Sequence, residues 1–375
     1  MRIDFALSAG KFGGGMKILV ELASHLALAG HDVSITLLGK AESLAWADLS
    51  NVKIIEAPFH NGVAHRILRK IYKKMQGAAA AENEYWYWDQ VSALLGAFRE
   101  CDIRVGTSPV SSLAVALDQK HTAGFNYLQH FEPLIFTAPF LNRLARISAR
   151  LPLHTIANST WLKETLVREC LVSPDSISVL PSAVNSDVFY PRTSDRFPRV
   201  KGKRRIVMMG KPHPWKGFGD ALKAMEMVFA RDSNIEWVVY AAQDELPRNE
   251  NAPYTLMTGL EGDSLAELLS TADIVVVPSW YESSPLPVLE ALACGAPLIT
   301  TRLGTEDLVH DDETAVVIPP KDPAALAQAI LRLVTDEPLR QRLRAAGLAA
   351  VTRFTWQNSV SNIERIFKDE LAAHV

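Results

Sequence analysis

The sequence predicts an α/β protein of two doubly wound, Rossmann-like domains facing a central cleft. Three observations carry this. Short runs rich in Ile, Val and Leu alternate with longer helical patterns. The alternation breaks in a proline- and charge-rich stretch near residues 190–203, then resumes. A chain of 375 residues exceeds one ordinary hydrophobic core and suits two domains.

Ile3 to Leu7 reads as the first strand, followed by a glycine loop and a helix from about Met16 to Ala29 that Gly30 stops. Val33 to Leu38, Ile54, Ile103 to Val105, Phe125 to Gln129 and Thr155 to Ala157 continue the same sheet, giving a first domain over 1–190. Residues 191–203, with Pro191 and Pro198 among many charges, read as a linker. A second domain over 204–354 follows. Its strands are Ile206 to Met209, Trp237 to Tyr240, Ile274 to Val277 and Leu298 to Ile299, with helices near Phe218 to Arg231, Ser264 to Ser270 and Pro287 to Cys294.

Composition narrows the function classes. A formal charge of −3 gives no net pull toward nucleic acid. Cys101, Cys170 and Cys294 lie far apart without metal-ligand spacing, which fits buried thiols in a reducing compartment. The opening Met-Arg-Ile-Asp-Phe puts an acid where a signal peptide needs apolar residues, and no apolar run reaches the ~18 residues of a membrane span. The expected location is cytoplasmic.

Ligands of open parallel sheets bind beyond the carboxyl ends of the strands, and the polar clusters all follow predicted strands. Pro278 to Pro297 runs from a buried strand through a small-residue loop into a helix that Gly295 ends. Prolines at its start are harmless, and its first turn offers N–H groups suited to phosphate. Glu290 lies about one turn inside and can accept both hydroxyls of a ribose, while Glu282 stays in the loop. Gly210, Lys211 and Lys216 follow another strand end, where two ammonium groups can neutralise a diphosphate as a sugar departs.

These motifs resemble a family 4 glycosyltransferase of the GT-B fold, which is retaining and nucleotide-sugar dependent. Its Glu-x7-Glu motif is matched by Glu282 and Glu290, its Asn-Ser element by Asn158-Ser159, and its crossing between domains by Pro181 to Pro191. Phe354-Thr355-Trp356 resembles the start of its last helix, here about 355–372, which packs back on the first domain. The resemblance implies that Glu290 holds the donor ribose, Lys211 and Lys216 the diphosphate, and Glu282 the transferred sugar. It sets the amides of Ser283, Ser284, Pro285 and Leu286 beside that sugar and its phosphate, less the one Pro285 lacks, and Gly259 and Leu260 near the base. The chain departs from the family at Lys211, where arginine is usual, at Ser283-Ser284-Pro285 in place of Gly-Phe-Gly, and at Ser182-Ala183 in place of Asn-Gly.

On the first domain, Gly10, Gly13, Gly14 and Gly15 precede a helix, but their spacing misses G-x-G-x-x-G and the second strand ends without the carboxylate of a dinucleotide site. By resemblance, Gly14 and Gly15 let the donor diphosphate approach, Gly13 and Gly14 the acceptor, and His130 meets the donor sugar and acceptor. Glu132 is placed to orient His130. Over 65–76, Arg66, Arg69, Lys70, Lys73 and Lys74 interleave with apolar residues, so a helix there presents a basic and a greasy face. Arg143, Arg146 and Arg150 extend this basic surface toward an anionic membrane. Plainer readings stand beside these. The glycines also fit close strand-helix packing, His130 a structural histidine, the basic face solvation, and Tyr85-Trp86-Tyr87-Trp88 either core aromatics or a sugar platform.

The expectation is therefore a retaining, metal-independent hexosyltransferase without cofactor. It moves a sugar from a UDP-, GDP- or dTDP-sugar to a glycan or lipid-linked saccharide in cell-surface polysaccharide assembly. A nucleotide-sugar epimerase and a non-catalytic nucleotide-sugar scaffold are the alternatives.

Overall fold

The computed structural model describes residues 1–8, 13–58, 78–242, 245–246 and 251–373, with the backbone alone over 78–86. The 65–76 stretch and Gly10 lie outside them. The chain divides into two compact units, Met1–Asn158 with Leu162–Leu180 and Ser359–Val375, and Ser159–Trp161 with Pro181–Asn358.

The first unit contains β1 (Arg2–Leu7), α1 (Gly14–Leu28), β2 (Asp32–Leu38), β3 (Lys53–Ala57), α2 (Ala78–Ala97), β4 (Cys101–Gly106), α3 (Pro109–Leu117), β5 (His121–Leu128), α4 (Pro139–Ser148), β6 (His154–Ala157), α5 (Thr160–Cys170) and β7 (Ile177–Val179). Its strands form one parallel sheet in the order β3-β2-β1-β4-β5-β6-β7, so the order reverses between β1 and β4. Ile3 through Leu7 are all buried because helices cover both faces of such a sheet. In α1, Ile18, Leu19, Leu22, Ala23 and Leu26 make one buried stripe. Ser108 caps α3 by accepting from the Ser111 amide, with Pro109 in the first turn.

An ionic group lies inside this sheet. Arg104 on β4 is fully buried and donates to Asp4 on β1 at 2.9 Å, to Asp118 and to the Arg99 carbonyl. Thr36 and Ser34 on β2 donate to Asp4 at 2.9 and 2.8 Å, and His121 meets Asp118 at 3.1 Å. With every charge paired, burial is tolerated.

The second unit contains β8 (Arg204–Met209), α6 (Phe218–Phe229), β9 (Ile235–Ala241), β10 (Thr255–Thr258), α7 (Gly262–Ser270), β11 (Ile274–Val277), α8 (Leu286–Ala293), β12 (Leu298–Thr301), β13 (Val316–Ile318), α9 (Pro323–Thr335) and α10 (Glu337–Val351). Its parallel sheet runs β10-β9-β8-β11-β12-β13, with the reversal between β8 and β11. Alternate residues face separate cores: Val207, Val275 and Val277 pack with α7 and α8, and Ile206, Met208, Ile274 and Val276 with α6 and α9.

The expected domain boundary and linker need correction. The first unit's main body ends at Leu180, not at residue 190, and residues 181–203 belong to the second unit. Val184, Phe189 and Phe197 are buried in its core, and Arg192 pairs with Asp263 at 2.8 Å while Ser194 donates to Glu267 at 2.8 Å. Apolar anchors spaced among the charges hold this segment down, where composition alone suggested a free connector. The final helix, α11 (Trp356–Ala373), belongs from Ser359 onward to the first unit. There Phe367 packs edge-on to Phe125 at 4.8 Å, and Glu364 and Glu370 meet His31 and His154 at 3.0 Å each.

The three cysteines are buried thiols, and burial pushes Cys101 and Cys294 up to about 12. Among the described residues no helix is long and apolar enough to cross a membrane. Replacing Arg104 by Met strands the buried Asp4 and Asp118 carboxylates. Urea unfolding at neutral pH should register a loss of about 3–5 kcal/mol.

Candidate functional site

In the second unit the loops after the adjacent strands β8 and β11 emerge at the switch point of the sheet, where ligands of such folds bind. Three ties lock these loops together. The Trp280 amide donates to the Trp215 carbonyl at 2.7 Å, and the Trp215 ring stacks on Tyr281 at 6.4 Å and on His213 at 4.5 Å. Gly217 has φ +72°, and a Cβ there would lie 2.0 Å from the Pro278 carbonyl oxygen. Lys216, set between Trp215 and Gly217, is thereby carried to Glu282. Its Nζ donates to Glu282 Oε1 at 2.7 Å, and Ser279 Oγ donates to the same oxygen at 2.6 Å. The carboxylate is 5% exposed.

On its other side the 282–284 backbone is pinned to residues 303–304. The amides of Glu282 and Ser284 donate to the Leu303 and Gly304 carbonyls at 2.9 and 3.0 Å. A Cβ on Gly304, at φ +95°, would lie 1.8 Å from the Glu282 carbonyl oxygen. This corrects one expectation, since the Ser284 amide is already spent on a backbone carbonyl; Pro285, as expected, has none. The amides of Val288 and Leu289 return to the Pro285 carbonyl at 3.1 and 3.4 Å, which leaves the Leu286 amide in the first turn of α8.

The two serine departures meet each other. Ser284, buried with φ +49°, accepts the Ser182 amide on its Oγ at 2.8 Å, and Ser283 Oγ lies 2.8 Å from Ser159 Oγ. Both serine side chains are thus tied to protein. Glu290 is buried on α8. Near it the Tyr240 hydroxyl is pushed well up, by burial first and then by the Glu290 charge. Lys211, which follows Gly210 at the end of β8, donates to Glu245 at 2.6 Å. Gly259 is exposed at φ +69° beyond β10, its amide bonded to the Ala241 carbonyl at 3.2 Å, with Leu260 half-buried beside it.

The first unit assembles its own group at the carboxyl edge of its sheet. Gln129, just beyond β5, donates to the Gly15 carbonyl at 3.0 Å and accepts Asn158 Nδ2 on its own carbonyl at 3.1 Å. The glycine turn of Gly13, Gly14 and Gly15 and the half-buried His130 are therefore joined through one side chain. A Cβ on Gly15 would sit 3.2 Å from Gln129 Oε1, so close approach is a reason for glycine there. Burial pushes the Glu132 carboxyl up to about 8. Arg146 and Arg150 are partly spent on the Glu169 and Cys170 carbonyls, at 3.2 and 2.5 Å, while Arg143 is exposed. Of the aromatic run, the side chains of Tyr87 and Trp88 are described, and Trp88 is 58% exposed.

Sequence reasoning missed Ser279 and Glu245, and gave His213 and Trp215 no role beyond shaping the loop, where they stack on each other. Ser279 carried a signal, three residues before Glu282 in the same loop. Glu245 carried none, because its approach to Lys211 is made by folding.

The stretch bearing the lysines and both glutamates has recognisable relatives. Residues 203–336 match the family model described as glycosyl transferases group 1. Over 236 residues the chain is 26% identical to the D-inositol 3-phosphate glycosyltransferase of Corynebacterium diphtheriae, covering 57% of this chain and 55% of that protein. The chain spans about half the length of the curated relatives it matches. Among solved structures, the sucrose-phosphate synthase of Thermosynechococcus elongatus superposes with a TM-score of 0.74 at 17% identity, covering 100% of both chains. Anabaena HepE in complex with UDP-glucose gives 0.78 at 15% identity, covering 98% of this chain and 100% of that one. These likenesses establish the GT-B fold.

Ser284→Ala removes the acceptor of a buried amide, and denaturant unfolding should show a loss of about 1–3 kcal/mol. Glu132 gives a signature in pH. Its folded pKa lies above the unfolded value, so between the two the folded state binds more protons. Its contribution to stability is therefore full below the ordinary glutamate range and falls as pH rises toward about 8. Glu132→Gln should flatten that part of the stability curve.

Proposed function

We propose that this chain is a family 4 retaining glycosyltransferase, transferring a sugar from a UDP-, GDP- or dTDP-sugar to a glycan or lipid-linked saccharide in cell-surface polysaccharide assembly. The observation that carries the reading is the Lys216–Glu282–Ser279 cluster at the switch point, 2.7 and 2.6 Å between partners, with Glu290 buried on the following helix. An ammonium group for a phosphate, a carboxylate for a sugar and a second carboxylate for a ribose occur there in one unit.

In the proposed reaction the bond between the anomeric carbon and the diphosphate oxygen breaks, while the acceptor oxygen bonds to that carbon on the same face. The acceptor proton passes to the departing diphosphate. Lys211 and Lys216 stabilise the growing charge there, so the transfer needs no metal ion. Glu290 holds the ribose, Glu282 faces the transferred sugar, and Gly259 and Leu260 lie at the base. Gly14 and Gly15 let the donor diphosphate approach, Gly13 and Gly14 the acceptor, and His130 meets the donor sugar and the acceptor. Residues 65–76, with Arg143, dock on an anionic membrane at the cytoplasmic face, at about 1 kcal/mol per basic residue.

A thermal-shift screen should find a nucleoside diphosphate that stabilises the chain, by about 2.7 kcal/mol at a hundredfold excess over its Kd. Lys216→Ala should lower turnover by roughly a hundredfold, about 3 kcal/mol of transition-state stabilisation, measured on protein checked for folding. Full turnover in that variant would remove the electrostatic assignment, and an inverted product anomer would overturn retention. Flotation with anionic liposomes at physiological salt tests the membrane contact, and failure to float sinks it.

A further inference from the structure

Lys211 carries a burden that Lys216 does not. Lys216 is braced by its neighbours and by the carboxylate of the Glu-x7-Glu motif, whereas Lys211 is a point charge on a flexible stem that must be oriented by something else. The structure supplies that partner. Lys211 Nζ donates to Glu245 Oε1 at 2.6 Å, and Glu245 Oε2 accepts the Ala242 amide at 3.3 Å, so the carboxylate is itself fixed against the end of β9. The next residue anchors it. Leu246 packs against the core beside Val239, so close over Gly210 that a Cβ there would lie 2.3 Å from Leu246 Cδ1. The two charged side chains are 26% and 28% exposed, open enough for a ligand to reach them.

We propose that Glu245 is a positioning residue of the donor site, holding the Lys211 ammonium at the end of β8 where a nucleoside diphosphate binds. The proposal rests on the donor-site reading above. An ammonium has three N–H donors, and the bond to Glu245 leaves others for phosphate oxygens. Orientation fixed before binding lowers the cost of ordering the side chain, and this offsets the presence of a nearby negative charge.

The test is titration calorimetry of UDP, GDP and dTDP against the full chain, using the nucleotide that binds most tightly. Glu245→Ala should raise its Kd about tenfold, while Glu245→Gln, which keeps an oxygen acceptor, should stay within about threefold. Lys211→Arg brings a preorganised fork, so in that background Glu245→Ala should cost less than about threefold. A merely structural carboxylate would show no such rescue. If Lys211→Ala weakens binding while Glu245→Ala leaves it unchanged or tightens it, the positioning role is overturned and the donor site stands. If Lys211→Ala and Lys216→Ala both bind as the parent does, the donor-site reading fails and this inference with it.

Discussion

The contact between Lys216 and Glu282 is the constraint around which the second domain arranges its loops. A carboxylate 5% exposed has to be paired, and its partner arrives from another strand 66 positions away in sequence. That pairing needs two loops at fixed separation. The Trp215 carbonyl, the aromatic stack and the missing side chain at Gly217 supply it from one side, and the Leu303–Gly304 turn from the other. Charge placement is thus a property of backbone fit, with the lysine serving as counterion to a buried carboxylate.

The first domain solves a related problem without solvent. Arg104 lies buried between two aspartates, with Phe98 against its guanidinium at 4.1 Å. Such a group fixes strand register, because shifting β1 against β4 would separate Asp4 from Arg104, its partner on the adjacent strand. At the carboxyl edge, Gln129 joins the glycine turn to Asn158.

Much of this was legible in the residues. Unbroken apolar runs such as Ile274 to Val277 declare buried parallel strands, and strand–loop–helix transitions in the sequence set Lys216 and Glu282 after strand ends and Glu290 on a helix. Three strands were not legible: β7 and β13 hold three residues each, and β10 sets Leu256 and Met257 between threonines, so none offers an apolar run that stands apart from loop. The segment over 191–203 misled because its prolines and charges outnumber the apolar anchor Phe197 that decides its place. Donor amides in the 283–286 loop were overcounted for a different reason. Sequence reports which N–H groups exist, whereas the Gly304 carbonyl that consumes one arrives only with the fold.

The bond from the Ser182 amide to Ser284 Oγ links two stretches that lie 102 residues apart. The earlier residue donates from its backbone, so the bond depends on the hydroxyl of the later serine. Transplanting a glycine-type loop from a relative into the later position, with the earlier stretch untouched, would maroon a peptide nitrogen in a dry interior.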